Sequence, residues 1–87
     1  AKAGLEEITK GLARELAPKI KVNAIAPGAM LEPPDITWTE EQKNKVIDSI
    51  PLKRMGSEKD IAEAVKFLAE SDYITGQIIK VDGGRSL

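Results

Sequence analysis

The sequence predicts an α/β layer architecture that is incomplete on its own. Two observations carry this reading. The apolar periods run in the order helix, strand, helix, helix, strand, and strands that alternate with helices build layered α/β folds. Both strand-like runs are short, apolar and rich in β-branched residues, as in parallel sheets covered on both faces. Two such strands do not make a stable sheet alone, because their edges stay open. The chain therefore reads as the carboxy-terminal part of a larger α/β domain.

The first helix occupies residues 1–17. Leu5, Ile8, Leu12 and Leu16 recur at spacings of three and four and form one apolar stripe, while Glu6, Glu7, Lys10, Arg14 and Glu15 fill the other face. No Ser, Thr, Asp or Asn stands before the stripe as an N-cap, which reads as the remainder of a longer helix. Gly4 and Gly11 each weaken a helix by about 1 kcal/mol relative to Ala. They mark either a close backbone neighbour or tolerated surface positions. Pro18 ends the helix, since the residue before a proline avoids the helical region.

Residues 20–28 follow as a buried strand with a hard stop, Ile20-Lys21-Val22-Asn23-Ala24-Ile25-Ala26 and then Pro27-Gly28. Residues 29–38 have no period and contain adjacent prolines, so they read as a loop. Thr39 and Gln42 form a capping-box pattern, with Glu40 and Glu41 where the helix dipole favours negative charge. That helix should run to about Ser49 and stop before Pro51. Its narrow stripe of Val46, Ile47 and Ile50 predicts that it sits lightly on the body. Ser57 and Asp60 repeat the capping pattern. Ile61, Val65 and Leu68, helped by Ala62, Ala64 and Ala69, make an amphipathic helix to about Glu70. Tyr73-Ile74-Thr75-Gly76 reads as a turn, Gln77 to Asp82 as the second strand, and Gly83-Gly84 as its close.

Composition excludes several functions. The 87 residues weigh 9.4 kDa, with 13 basic and 14 acidic side chains. A domain this small buries only roughly 60–65% of its unfolded surface, so its stability margin is thin. The net charge of −1 argues against a dedicated nucleic-acid binder. One Phe, one Trp and one Tyr make base-stacking platforms unexpected. With neither Cys nor His, disulfides, thiolate nucleophiles, histidine metal sites and serine–histidine triads are ruled out within these residues, and no metal site is expected. No membrane span and no signal-peptide pattern is visible, and the expected location is cytoplasmic.

Several motifs now carry a resemblance. Lys2-Ala3-Gly4-Leu5, Val22-Asn23-Ala24-Ile25-Ala26-Pro27-Gly28, Ile74-Thr75-Gly76-Gln77 and Val81-Asp82-Gly83-Gly84 occur in this order over nearly the whole chain. Each is weak alone, but together they resemble the carboxy-terminal part of the short-chain dehydrogenase/reductase family. Ile50-Pro51-Leu52 and the ending Val81 to Leu87 look most like the pteridine-reductase-like members, although carbonyl reductases, including 3-oxoacyl-carrier-protein reductases, share most of these residues.

The resemblance implies a Rossmann-like, doubly wound parallel sheet and hydride transfer from NADP or NAD to a carbonyl or to the C=N bond of a pterin. It implies that Lys2 is the lysine of the family's Tyr-x-x-x-Lys motif. There its ammonium would lower the pKa of a tyrosine one helical turn earlier and hydrogen-bond the nicotinamide ribose. Read from composition alone, Lys2 is a solvated lysine. Pro27, Gly28, Ala29 and Met30 would meet the cofactor, with a simple strand-ending turn as the alternative for Pro27-Gly28. Glu32 stands where many relatives carry a cofactor-contacting threonine.

Residues 29–56 match the substrate lid region, with Leu31, Ile36 and Trp38 over the substrate; for Trp38 the favoured alternative is a hydrophobic anchor for the next helix. Lys53-Arg54 reads as a solvated pair, with a phosphate patch as the alternative, and Tyr73 as a packing residue. The catalytic tyrosine, serine and glycine-rich loop would lie in a missing upstream half. The 87 residues alone are thus expected to be inactive and to bind no cofactor. The competing reading is a non-catalytic module that keeps the surfaces for self-association into a dimer or tetramer and loses the chemistry.

Overall fold

A computed structural model describes residues 2–28 and 38–87, with side chains from Gly4 onward. The elements are α1 (Lys2–Leu16), β1 (Ala24–Pro27), α2 (Glu40–Asp48), α3 (Glu58–Glu70) and β2 (Ile78–Val81). Their order and type agree with the apolar periods. The strands pair in parallel, from Ala24 opposite Ile78 to Pro27 opposite Val81, and α3 packs on both.

Both strands are shorter than their apolar runs. Residues 20–23 do not join the ladder, because side chains take over the pairing there. The Val22 amide donates to Thr75 Oγ1 at 3.0 Å, and the Gly76 amide donates to the Val22 carbonyl at 2.7 Å. The Asn23 carboxamide spans the gap to the opposite turn, donating to the Ile74 carbonyl and accepting from the Gln77 amide, both at 3.0 Å. Turn 74–77 is thereby clipped onto the entry of β1. Gly76 has φ +76°, and a Cβ there would touch the Ala13 side chain of α1 at 3.5 Å. Glycine supplies the left-handed backbone that this turn needs.

Capping residues start α2 and α3 where expected. Thr39 Oγ1 accepts from the Gln42 amide at 3.1 Å, and Gln42 Oε1 accepts from the Thr39 amide at 2.9 Å. The Asp60 carboxylate accepts from the Ser57 amide at 2.8 Å and from the Ser57 hydroxyl at 3.1 Å. It also takes a two-pronged pair of 2.9 Å bonds from Arg54. The Arg54 guanidinium first, and the Ser57 amide second, hold this carboxyl well below the usual carboxylate range. The far end of α3 has no basic residue in its last turn. Lys21 serves instead, its Nζ donating to the carbonyls of Leu68 (3.2 Å), Ala69 (3.3 Å) and Ser71. A cation there complements the negative end of the helix dipole.

The core is thin. Ala13, Ile50, Met55 and Leu68 are its buried apolar residues among those described, with Thr9 buried beside them. Thr9 satisfies its hydroxyl on the Leu5 carbonyl at 2.7 Å. As expected, α2 sits lightly: none of its residues is buried, and Ile50 just beyond it is 1% exposed. The α1 stripe behaves otherwise than its period suggests. Leu5, Ile8, Leu12 and Leu16 are all exposed, and the buried residues of α1 are the small Thr9 and Ala13, of which Ala13 lies against Gly76. Nothing approaches Gly4 or Gly11 within 4 Å, so the described residues give these glycines no backbone neighbour. Tyr73 is fully exposed rather than packed. The radius of gyration is 15.4 Å, against about 12 Å for a compact domain of this length.

Two substitutions test this arrangement in the protein that carries the chain. Lys21→Met keeps the apolar stem but leaves the α3 carbonyls to water, and urea unfolding should show a loss of about 1 kcal/mol. A midpoint equal to the unaltered protein would show that the cation contributes nothing. A Cβ on Gly28 would lie 2.5 Å from Asp82 Cβ and 2.7 Å from Asp82 Cα. Neither atom can swing away, so Gly28→Ala should cost about 1–3 kcal/mol. An unchanged midpoint would mean that the strands can separate freely at that point.

Candidate functional site

Parallel strands bring their carboxyl ends to one edge, and open α/β sheets bind ligands outside that edge. Here the edge is Pro27-Gly28 beside Val81-Asp82. The Gly28 amide donates to the Val81 carbonyl at 3.0 Å, so pairing continues one residue beyond β1. Pro27 is exposed. Of the two residues that end β1 at this edge, Pro27 is the open one, whereas Gly28 lies against the neighbouring strand.

Glycine at position 28 has a reason inside the chain: the Cβ direction is already taken by Asp82. Gly28 is required first by the neighbouring strand, and the close approach it allows is internal.

Beyond β2 the chain turns sharply. Gly83 and Gly84 have φ +63° and +89°, conformations that side-chain-bearing residues rarely adopt. The Asp82 carboxylate holds the turn, with Oδ1 accepting from the Gly84 amide at 2.9 Å and Oδ2 from the Ser86 amide at 3.3 Å. Hydrogen bonding from Ser86 and then from the Gly84 amide lowers this carboxyl from its ordinary value. The segment after α2 rests on the same turn. The Leu52 amide donates to the Gly83 carbonyl at 3.1 Å. A Cβ on Gly83 would meet Ile50 Cγ2 at 2.7 Å, and one on Gly84 would meet Pro51 Cγ at 3.1 Å.

The remaining candidates are placed unevenly. Lys2 opens the first turn of α1, and its side chain lies outside the described set. Ala29, Met30, Leu31, Glu32 and Ile36 also lie outside the described residues. Trp38 is half-buried immediately before the cap of α2. The Lys53-Arg54 pair is not a free phosphate patch. Arg54 is committed to Asp60 and to the Met55 carbonyl, and Lys53 Nζ donates to the Asp48 carbonyl at 2.8 Å. Sequence reasoning missed the roles of Lys21, Asn23 and Asp82.

Among the described residues no three His, Cys, Asp or Glu side chains gather as metal ligands. None of the described helices is long and apolar enough to cross a membrane. An open groove of about 700 Å³ runs between α3 and β2, bordered by Leu52, Ala64, Phe67, Ile79 and Leu87. It lies on the helix-covered face.

Comparisons with known proteins agree with this geometry. Residues 1–86 match the family described as enoyl-(acyl carrier protein) reductase. Glucose 1-dehydrogenase of Gluconobacter oxydans is 45% identical over 92 residues, covering all of this chain and 35% of that protein. The 3-oxoacyl-(acyl-carrier-protein) reductase FabG of Staphylococcus epidermidis is 46% identical over 86 residues, covering 95% and 35%. A short-chain dehydrogenase of Leptospira borgpetersenii solved with bound NAD+ superposes with a TM-score of 0.84 at 38% identity, covering 99% of this chain and 34% of that one. A small-chain dehydrogenase in complex with NADPH gives 0.83 at 37% identity, covering 95% and 39%. The chain thus spans about a third of the length of the proteins it matches. With its parallel strand pair, Pro27-Gly28 edge and Asp82 turn, the chain belongs to the short-chain dehydrogenase/reductase family.

Proposed function

We propose that this chain is the carboxy-terminal part of an NAD(P)-dependent reductase that transfers hydride to a carbonyl. The observation that carries the reading is the edge at Pro27-Gly28, where two parallel strands end together beside an exposed proline. The relatives include dehydrogenases and reductases, and solved relatives hold NAD+ or NADPH. When bound, the nicotinamide supplies the hydride. Pro27, Gly28, Ala29 and Met30 would hold its ring. Lys2 would bind its ribose and, through its positive charge, would keep a tyrosine phenol of the intact enzyme ready to exchange a proton with the substrate oxygen. Residues 29–56, with Leu31, Ile36 and Trp38, would cover the substrate side.

A carbonyl is favoured over a pterin C=N as the substrate. The pterin reading rests on the likeness of Ile50-Pro51-Leu52 and the last seven residues alone, whereas carbonyl-group chemistry is in the names of the relatives. A second reading, a non-catalytic module for self-association in a dimer or tetramer, draws on a separate observation. Leu5, Ile8 and Leu12 of α1 and Val65 and Phe67 of α3 are all exposed, which is a large apolar area for one small body.

The test is NADH and NADPH oxidation by the protein that carries this chain, with 3-oxoacyl thioester, sugar lactone and dihydropterin substrates in parallel. Oxidation with a carbonyl substrate, reduced about 100-fold or more in Lys2→Ala, is the expected result. Turnover with the dihydropterin alone would move the substrate class. No oxidation of either nucleotide, together with a concentration-dependent oligomer in sedimentation, would favour the assembly reading.

A further inference from the structure

The Pro27-Gly28 edge and the segment after α2 are far apart in sequence, yet both are seated on residues 81–84. Gly28 donates to Val81 and abuts Asp82; Leu52 donates to Gly83, and Ile50 and Pro51 pack on Gly83 and Gly84. The strip can support both sides because its backbone folds back with two successive positive φ angles. Two glycines reach these angles without strain, but each gives up much backbone freedom when held in one conformation, so a contact has to fix the turn. One side chain does so. The Asp82 carboxylate spends one oxygen on the Gly84 amide and the other on the Ser86 amide.

We propose that Asp82 is a positioning residue, which folds the turn after β2 into the one seat that fixes the Pro27-Gly28 edge relative to Ile50-Pro51-Leu52. The consequence for catalysis rests on the reading that this edge meets the nicotinamide. Asp82 acts through Gly28 on one side and through the Gly83-Gly84 turn on the other. The same logic accounts for Asp at this position rather than Asn. Two amides point at the carboxyl, one per oxygen, and Asn would turn a donor toward one of them.

The experiment compares Asp82→Asn, Asp82→Ala and Ser86→Pro in the protein that carries this chain. Ser86→Pro removes what Ser86 offers the carboxylate and keeps the Gly84 bond, so it keeps the test alive if Asp82→Ala fails to fold. Lys21→Met serves as a control destabilised at the opposite end of the sheet. Amide hydrogen exchange is read at Gly28 and Leu52, and KM for NADH and NADPH is read separately from kcat. Exchange at both amides should rise together, least in Ser86→Pro and by about tenfold in Asp82→Ala, the factor for losing a charge-assisted hydrogen bond.

The nucleotide KM should rise in the same order, while Lys21→Met leaves it unchanged. A residue that merely stabilises the fold lowers the active fraction and leaves KM where it was. Unchanged exchange at either amide, or a rise no larger than that across α3, would overturn the proposal, as would an unmoved KM in variants whose two amides are deprotected. If the unaltered protein oxidises neither nucleotide, the functional reading fails, and exchange at Gly28 and Leu52 alone decides whether Asp82 positions the two segments.

Discussion

Two four-residue strands in parallel register hold the rest of this chain in place. They are short because they are closed at both ends by other means. At the amino end, the Asn23 carboxamide and the Thr75 hydroxyl replace ladder bonds and clip turn 74–77 onto β1. At the carboxyl end, Gly28 lies so close to Asp82 that no other residue type fits without moving a strand. Between these closures the register has no freedom. A slip of one residue would turn every inward side chain outward. Everything that defines the candidate site depends on this register, because it sets which residues stand at the carboxyl edge.

Helix α3 is held on that pair by polar contacts as much as by burial. Lys21, from the approach to β1, closes the end of α3, while Arg54, from the segment before α3, locks its start through Asp60. Thus α3 is held at both termini by residues outside it. This matters because its apolar face is only partly covered: Leu68 is buried and Val65 is 51% exposed. Exposed ion pairs usually contribute little. A planar two-pronged pair that also completes a helix cap orders more backbone than an isolated surface pair. The acidic end of the pH range should therefore weaken this region once Asp60 and Asp82 take up protons, below the ordinary aspartate value of about 3.9.

Much of this was legible in the residues, and the boundary of legibility has a physical cause. Local signals read correctly. Thr39 with Gln42 and Ser57 with Asp60 started helices, Pro18 and Pro51 lay beyond helix ends, and the two β-branched runs became the strands. The edge at Pro27-Gly28 was found because a strand, a proline and a glycine are adjacent in sequence. What escaped depends on partners distant in sequence. Lys21 and α3 are about fifty residues apart, as are Asn23 and the turn it spans. The α1 stripe had the period of a buried face but is exposed, since periodicity reports that a face is apolar and not what covers it. Tyr73 was misplaced for the same reason. Gly28 was identified as important for a ligand, whereas its nearest constraint is Asp82.

On the proposed reading the edge made by Pro27 and Gly28, and not the groove along α3, receives the nicotinamide. Hydrogen exchange in the protein that carries this chain, with and without saturating NADH or NADPH, tests it most directly. Slowed exchange at the amide of Gly28 and in the first turn of α1 around Lys2, with α3 unchanged, is the expected result. Protection confined to α3 and β2 around Phe67 and Ile79, with none at Gly28, would contradict it.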